Sequence, residues 1–287
     1  MAEATTEGAP HRSVSQLSSY ASCGEAFRLE RIAKAPARPA AWFVQGHAVH
    51  EVIEHWENSG RGMRVEDLED LYLTSYRNEA NKLVEAWPDE QHWMTGGRKK
   101  GFDDLSDRED KGWWQVLEYL NWARTQDHLW RVVESERSFD LELGGIPVRG
   151  YIDQVVEWGD GSIEVRDLKT GAKTPASNLQ LSVYKLALER AGMEVSRASY
   201  LKLPNPNARS AAGKECQLIE VDLDGEGTNG EQVLAQMFRD ADYGIREQVF
   251  LPNPTDGCER VCGVAQWCRA KGHMAAAQAH TAGLRSY

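Results

Sequence analysis

The sequence lacks the features of an exported or membrane-spanning chain. Along its 287 residues no run of about eighteen apolar residues occurs, and residues 1–12 contain no apolar segment of the kind that signal peptides carry. We therefore expect neither a membrane span nor export, and predict a cytoplasmic protein. Hydrophobic residues still make up 41% of the chain, which is enough to bury a core without disulfide bonds.

An excess of positive charge is also missing. The chain has 33 Lys and Arg against 44 Asp and Glu, which gives a formal net charge of -11. A protein that coats nucleic acid without sequence preference needs clustered Lys and Arg to neutralise phosphates. The charge balance therefore excludes a non-specific coat protein, and any contact with DNA must be confined to a local patch or groove.

Cysteine is scarce and odd in number, with five residues at positions 23, 216, 258, 262 and 268. In a chain without an export signal an odd count argues against disulfides, and metal ligation explains the cysteines better. Three common enzyme motifs are absent as well, namely the P-loop, G-x-S-x-G and H-E-x-x-H. Their absence leaves little support for an enzyme of one of those three classes whose cysteines hold a structural zinc ion.

The sequence does contain a predicted β-hairpin that carries acidic residues. Its two halves are Val148-Arg149-Gly150-Tyr151-Ile152-Asp153 and Asp167-Leu168-Lys169-Thr170-Gly171, separated by apolar residues around a Gly159-Asp160-Gly161 turn. This geometry brings Asp153 and Asp167 to one end of a small sheet, with Lys169 on the same strand face as Asp167. Two close carboxylates favour a hard cation between them, Mg²⁺ or Mn²⁺. Taken alone, an Asp-x-Lys motif such as Asp167 and Lys169 is far more often a solvated pair near a strand end than part of an active site.

Three helices are predicted to carry further candidate residues. The first starts near Ser13 and contains Cys23. A second, over about residues 42–56, places His50 and Glu54 on one face, and Glu51 and Glu54 are candidates to support His50. A third, over residues 175–188, places Gln180 and Tyr184 one turn apart, where both are expected to face the metal site.

The remaining pattern predicts one domain with disordered ends. Residues 1–12 are predicted as a disordered leader, 13–270 as a single domain and 271–287 as a flexible tail. Residues 61–130 are predicted as a helical insert, whose tryptophans are better explained as core residues than as stacking platforms for a single strand. From Trp130 the hydrophobic period becomes two, which predicts a strand that leads into the hairpin. Later elements are predicted as strands over 197–203 and 216–223 and a helix over 231–246.

Four short motifs occur in an order and approximate spacing found in a known family. They are Gly46-x-x-x-His50, Gly150-Tyr151-Ile152-Asp153, Asp167-Leu168-Lys169-Thr170-Gly171 and Gln180-x-x-x-Tyr184. Together they resemble the PD-(D/E)XK nucleases of the RecB type, and the resemblance runs from Ser13 to Cys268 apart from the insert. It implies an α/β (α+β) fold with a restriction-endonuclease-like core, in which a central mixed sheet is flanked by helices, and a terminal subdomain stapled by an iron–sulfur cluster.

The resemblance also implies a role for each candidate residue. His50, Asp153, Asp167 and the Leu168 backbone carbonyl would ligate a Mg²⁺ or Mn²⁺ ion, which lowers the pKa of a bound water. Lys169 would orient or deprotonate that water and stabilise developing charge. Gln180 and Tyr184 would position the DNA strand or the Lys169 amine, although core and capping contacts of a helix also explain them.

Four of the cysteines look like the split cluster ligands of AddB and of the CRISPR-associated RecB-like exonucleases. These are Cys23, Cys258, Cys262 and Cys268, which in those relatives hold a 4Fe-4S cluster. Four thiolates also suit a structural zinc ion, but the spacings lack the paired C-x₂-C knuckles commonest for zinc. Cys216 falls outside this set. The chain departs from the pattern at Gly24, where relatives often carry Pro, and at Asp167, where many carry Glu.

The expected function is a metal-dependent DNA exonuclease that acts on single-stranded ends in recombination, repair or CRISPR-type processing. It could act alone, as a phage or bacterial exonuclease, or beside a helicase or a CRISPR integration complex. The alternative is a DNA-binding or assembly module that kept the fold and lost the chemistry. The presence of the acids, the lysine and the histidine favours the enzyme.

Overall fold

The computed structural model describes residues 11–171, 177–224 and 230–272. Within these ranges the α-helices are α1 Val14–Ser22, α2 Gly24–Phe27, α3 Ala41–Asn58, α4 Val65–Ala86, α5 Gly101–Thr125, α6 Leu179–Arg190, α7 Glu231–Arg246 and α8 Cys258–Val261. The strands are β1 Trp130–Leu143, β2 Ile146–Trp158, β3 Ile163–Lys169, β4 Val195–Lys202 and β5 Gln217–Glu220. Short 3₁₀ or π-helical turns cover Arg28–Ile32, Glu90–His92, Ala212–Lys214, Ala265–Trp267 and Arg269–Lys271. None of the described helices is long and apolar enough to cross a membrane.

The strands form one mixed sheet in the order β1-β2-β3-β4-β5. Neighbours pair antiparallel except β3 and β4, which pair in parallel. Two tight turns build the antiparallel half. Gly144 and Gly145, with φ of 61° and 83°, join β1 to β2, because a hairpin of this kind needs left-handed backbone that glycine adopts without strain. The mixed sheet flanked by helices that the sequence predicts is confirmed.

Helices cover both faces of the sheet. On one face α3, α4 and α5 form the largest core cluster, to which β2 contributes Val156 and β3 contributes Leu168. The other face buries Val155 and Val165 against α6, and α1 and α7 pack beside it. Adjacent residues such as Val155 and Val156 point to opposite faces because side chains alternate along a strand. The sheet is therefore buried on both sides, and the site must lie at an edge or an end.

Five of the six tryptophans of residues 61–130, all except Trp114, lie in or against the α3–α5 core. Trp93 is buried there, and Trp87, Trp113 and Trp122 pack partly buried against the same cluster. They stabilise the helices against one another, as predicted, and do not offer open stacking faces.

The first and last parts of the described chain contact each other. Arg12, although predicted as part of the leader, forms a parallel bridge with Val148 of β2 and an ion pair with Asp242 of α7 at 2.7 Å. The hydroxyl of Tyr20 donates to the Val249 carbonyl at 2.6 Å. Most of the predicted leader and tail lies outside the described residues, as do positions 175 and 176 of the predicted third helix, which begins at Leu179.

The prediction that Cys23 lies inside the first helix is wrong. Helix α1 ends at Ser22, Cys23 is extended with φ −163° and ψ 104°, and α2 begins at Gly24. The break follows from a close approach of the C-terminal segment. The Glu25 N–H donates to the Leu251 carbonyl at 3.3 Å, and a Cβ on Gly24 would lie 2.9 Å from the Leu251 nitrogen. The interruption turns the Cys23 thiol towards Asn253, whose N–H donates to its sulfur at 3.3 Å.

Candidate active site

Asp153 and Asp167 stand where β2 and β3 separate. The last paired residues of these strands are Gln154 and Arg166, so each aspartate lies one residue beyond the end of the ladder. The Leu168 N–H donates to Asp153 Oδ2 at 2.9 Å and fixes that carboxylate against β3. The predicted convergence of the two acids thus follows from the hairpin register.

Lys169 lies on the same face of β3 as Asp167. Its Nζ is 2.6 Å from Asp167 Oδ2 and donates to Gln180 Oε1 at 3.1 Å. The Gln180 Nε2 in turn donates to the Tyr184 hydroxyl at 2.7 Å. A chain of contacts therefore runs from Asp167 through Lys169 to α6, where Gln180 and Tyr184 are one helical turn apart.

The Asp167 carboxylate is poorly compensated. Asp167 is fully buried, and among the described residues the one partner of its carboxylate is the Lys169 ammonium, at 2.6 Å. A buried carboxylate with a single polar partner is costly. A hard cation would remove that cost, so the donor set fits Mg²⁺ or Mn²⁺.

His50 reaches the same place from α3. Its Nδ1 lies 3.7 Å from Asp153 Oδ2. Burial is the main influence on its pKa, which it lowers below the ordinary value, so the imidazole is held neutral and can offer a lone pair to a metal. Gly46, one turn earlier on α3, lies close to Thr170. A Cβ there would lie 3.5 Å from the Thr170 hydroxyl oxygen, so α3 packs closely against the residue that follows β3.

Burial also controls the two aspartates. It raises the pKa of Asp153 to about 6, an effect that the Leu168 N–H opposes. It raises the pKa of Asp167 to about 7, with the charge of Asp153 adding to the rise and Lys169 opposing it. Both carboxyls therefore hold protons more tightly than ordinary aspartates when no cation lies between them. A bound divalent ion would reverse this effect by its own charge.

Glu136 of β1 is a site residue that the sequence analysis missed. Ligand atoms of His50, Glu136 and Asp153 all lie within 4.8 Å of one another. Glu136 has φ of 47°, a backbone conformation that is uncommon outside glycine and that often marks functional sites. A register shift between Val132 and Glu134 lies just before it. The sequence shows that Glu136 lies on a strand with alternating polar residues. It does not show the bulge that sets the direction of the Glu136 side chain.

Of the other predicted residues, Glu54 lies near the site and Glu51 does not face it. The charge of Glu54 contributes to the raised pKa of Glu136, although burial and Asp153 contribute more. The Glu51 carboxylate accepts from the Ser75 hydroxyl of α4 instead. Leu168 meets the site through its N–H, and the metal-ligand role of its carbonyl stays a prediction.

Four cysteines from opposite ends of the chain line one small cavity. These are Cys23, Cys258, Cys262 and Cys268, among apolar residues that include Leu29 and Val264. The Thr255 N–H donates to Cys258 Sγ at 3.2 Å and lowers the pKa of that thiol. Among the described residues, no set of cysteine sulfurs meets the 4.8 Å spacing of a single-ion site.

Cys216 lies elsewhere. It packs against the α3–α5 core, and burial raises the pKa of its thiol to about 12, with Glu118 adding to the rise. A thiol held protonated in this way is a poor metal ligand.

The comparisons with known proteins cover most of the chain. A profile of the PD-(D/E)XK nuclease superfamily matches residues 11–269. The "Gene 69 protein" of Mycobacterium phage D29 is 32% identical over 268 residues, which make up 90% of this chain and 96% of that protein. The "Gene 69 protein" of Mycobacterium phage L5 is 34% identical over 206 residues, 62% of this chain and 70% of that protein.

Two solved structures share a weak likeness with this chain. The structure of SSO0001 has 15% sequence identity and a TM-score of 0.37, and covers 80% of this chain and 95% of its own. The "Putative exonuclease" of Eubacterium rectale has 10% identity and a TM-score of 0.40, and covers 92% of this chain and 88% of its own. At this level of likeness neither structure bears on function.

Proposed function

We propose, since the chain belongs to the PD-(D/E)XK nuclease superfamily, that it is a metal-dependent DNA exonuclease that hydrolyses phosphodiester bonds at single-stranded ends. The observation that carries this proposal is the convergence of Asp153, Asp167 and Lys169, in which the buried Asp167 carboxylate has the Lys169 ammonium as its one partner among the described residues. An arrangement that only stabilised the fold would be expected to satisfy that carboxylate.

The residues divide the work of hydrolysis. His50, Asp153, Asp167 and the Leu168 carbonyl would hold Mg²⁺ or Mn²⁺, and Glu136 lies close enough to His50 and Asp153 to join them. When bound, the ion supplies a water of lowered pKa and neutralises phosphate charge. Lys169 orients the attacking water and donates to the charge that develops on the phosphate.

The contacts on α6 hold Lys169 in place. Gln180 accepts a hydrogen bond from Lys169 Nζ and donates one to the Tyr184 hydroxyl. The amine is therefore fixed between Asp167 and α6. Fixing the amine before the substrate arrives lowers the entropy cost of the reaction. Gln180 and Tyr184 therefore act as positioning residues for Lys169 and border the groove through which a strand would enter.

The four-cysteine cavity is proposed to hold a 4Fe-4S cluster, as in AddB and the CRISPR-associated RecB-like exonucleases. A tetrahedral zinc ion binds sulfur at about 2.3 Å and would draw the four sulfurs close together. The wider spacing in this cavity and the split origin of its ligands favour a larger group. Iron and zinc analysis of purified protein decides the matter, since a cluster gives a brown solution and stoichiometric zinc without iron would overturn the assignment.

The biological setting that we propose is recombination, repair or CRISPR-type processing, either alone or beside a helicase or an integration complex. A pull-down with the cluster intact would test for such a partner. Recovery of the chain alone under mild conditions would favour independent action.

The decisive experiment is a cleavage assay with end-labelled linear single-stranded DNA and Mg²⁺ or Mn²⁺. We expect linear DNA to be shortened, a circular single strand to survive, and EDTA to stop the reaction. Cleavage of the circle at an equal rate would contradict the exonuclease assignment. Binding without cleavage in either metal would instead support a module that has lost the chemistry.

A further inference from the structure

We infer that Tyr151 is a stacking platform that holds a base of the single strand next to the scissile phosphate. This inference rests on the proposed nuclease function and deepens it, because it names how the site holds a strand with so few positive charges. Three observations carry it, namely the position of Tyr151 on β2, the groove that Tyr151 lines and the charge of that groove.

The position of Tyr151 follows from strand geometry. Its side chain is 61% exposed, whereas the neighbouring Ile152 is fully buried. Tyr151 stands two residues before Asp153 on β2, which places their Cα atoms about 6–7 Å apart. Cross-strand pairing sets Tyr151 opposite Ser138 and Arg149 opposite Asp140. The exposed Tyr151 ring therefore belongs to a residue two positions along β2 from Asp153, a proposed metal ligand.

Tyr151 borders a groove that reaches Gln180 and Tyr184 of the candidate site. This groove, of 860 Å³, is lined by Tyr151 together with Gly150, Phe139 and both Gln180 and Tyr184 of α6. The Phe139 ring packs directly on Gly150 and forms part of the groove wall. A Cβ at Gly150 would lie only 2.8 Å from that ring, so the contact requires glycine. Phe139 also meets Tyr184 edge to face at 5.8 Å. A strand that enters here passes aromatic faces before it reaches Lys169.

The charge of the groove indicates how a strand is held. Arg149 is the only Lys or Arg among its described lining residues, and it pairs with Asp140 at 2.6 Å. Lys169 beside the groove is already paired with Asp167. This lining cannot neutralise many phosphates, so base stacking on an aromatic ring, beside hydrogen bonds from its polar side chains, is the contact that suits a strand here.

An isolated exposed tyrosine on a strand is ordinary, because tyrosine favours strands and many apolar atoms are exposed on any protein. Tyr243 of α7 provides such a case. It is 66% exposed but does not line the groove. Tyr243 is therefore a matched control for the loss of an exposed tyrosine.

The test measures binding of a fluorescent oligothymidylate by anisotropy in Mg²⁺, with each variant carried in full-length Lys169→Ala protein so that the strand is not cut. We expect Tyr151→Ala to bind about tenfold or more weakly, Tyr151→Phe to bind like the parent because the ring face is kept, and Tyr243→Ala to be unchanged. All should melt like the parent, since the side chain is exposed. Oligonucleotides with one abasic position, moved along the strand, should weaken binding at one position in the parent and not in Tyr151→Ala.

Equal binding by Tyr151→Ala and the parent would overturn the inference, and so would an abasic effect that persists in Tyr151→Ala. Loss of binding in Tyr151→Phe would overturn it as well, by assigning the contact to the hydroxyl. The slope of the parent's log binding constant against log salt concentration reports the number of phosphate contacts. A slope steeper than that of about two contacts would show that charge holds the strand. The proposed function is judged separately, by whether the protein with Lys169 intact cuts linear DNA.

Discussion

Lys169 lies between Asp167 and Gln180, and the chemistry depends on it more than the fold does. Its side chain is 25% exposed, so truncation leaves no large cavity. We predict that Lys169→Ala lowers the cleavage rate by about 10²–10⁴-fold, the usual worth of one proton-transfer or charge-stabilising group. Its melting temperature and DNA binding should stay near those of the parent.

Lys99 offers a control for this substitution. Its ammonium also pairs with an aspartate, Asp107 at 2.5 Å, but on the surface of the helical region. Lys99→Ala should cut at the parental rate. Equal loss in both variants would show that a lost ion pair, rather than the reacting centre, explains the effect.

Glu136 is the residue whose role depends most on the structure. If it joins His50 and Asp153 on the ion, Glu136→Gln should weaken Mn²⁺ binding by about 10- to 100-fold. Isothermal titration in the absence of DNA measures this directly. Glu134→Gln, two residues earlier on β1, removes a carboxylate that pairs with Arg137 and should leave metal affinity unchanged. Unaltered Mn²⁺ affinity in Glu136→Gln would contradict the assignment.

The raised pKa values of Asp153 and Asp167 make stability depend on pH when no metal is bound. The folded protein keeps protons that the unfolded chain releases near pH 4, so this contribution is complete below about pH 4 and is lost as the pH rises through about 6 to 7. In EDTA the melting temperature of the parent should fall over that range more than that of Asp167→Asn. Added Mg²⁺ should stabilise the parent more at about pH 8 than at about pH 5. Parallel pH profiles for the two proteins would show that Asp167 titrates normally.

At the residue scale, local pattern was sufficient to predict that most of the candidate residues lie close together. Asp153, Asp167 and Lys169 follow from one hairpin and the alternation of a strand, and Gln180 and Tyr184 from one helical turn. Glu136 did not follow, because a bulge in β1 and a left-handed backbone decide where it points, and neither is encoded by residue type. Tertiary contacts of this kind lie beyond single-sequence periodicity.

At the scale of elements, the junction between α1 and α2 depends on Gly24. A Cβ there would lie 2.9–3.1 Å from backbone atoms of Phe250 and Leu251, which are not free to move aside like a side-chain tip. We predict that Gly24→Ala destabilises the protein by about 1–3 kcal/mol, the usual cost of overpacking. If the proposed cluster is bound, the same substitution should lower the iron content by moving Cys23 away from the other three cysteines.

Gly257 is the control for this prediction, since a Cβ there meets nothing closer than 3.6 Å and the residue precedes Cys258. Gly257→Ala should keep both iron content and melting temperature. Thermal melts and iron assays on the two variants complete the test. A Gly24→Ala protein that melts like the parent would show that the backbone of residues 250–251 moves to accommodate the added Cβ. The helical period continued through Cys23 in the sequence, so the break was not predictable without this contact.

At the scale of the whole molecule, a cluster held by Cys23 and the C-terminal cysteines would close the chain into one large loop. Treated like a disulfide, such closure is worth roughly 5 kcal/mol, which is comparable with the stability of a typical domain. Cys23→Ala should therefore give colourless protein that proteases digest readily. Cys216→Ala should stay brown and stable because that thiol lies outside the cavity. Absorbance spectra and limited proteolysis measure both, and a brown Cys23→Ala protein would place the fourth ligand elsewhere.

The contacts between residues 20–23 and residues 249–253 also determine when this protein can finish folding. The ribosome makes Cys23 early, and the Asn253 N–H that meets its sulfur is 230 residues later in the sequence. At about 5–20 residues per second, roughly ten to fifty seconds of translation separate them. During that interval α1 lacks α7 and the Cys23 thiol lacks the segment that covers it, so the packing around α1 is completed only after α7 and residues 249–253 have been made. A chain halted before residue 249 would leave the Tyr20 hydroxyl and the Cys23 thiol without their native contacts.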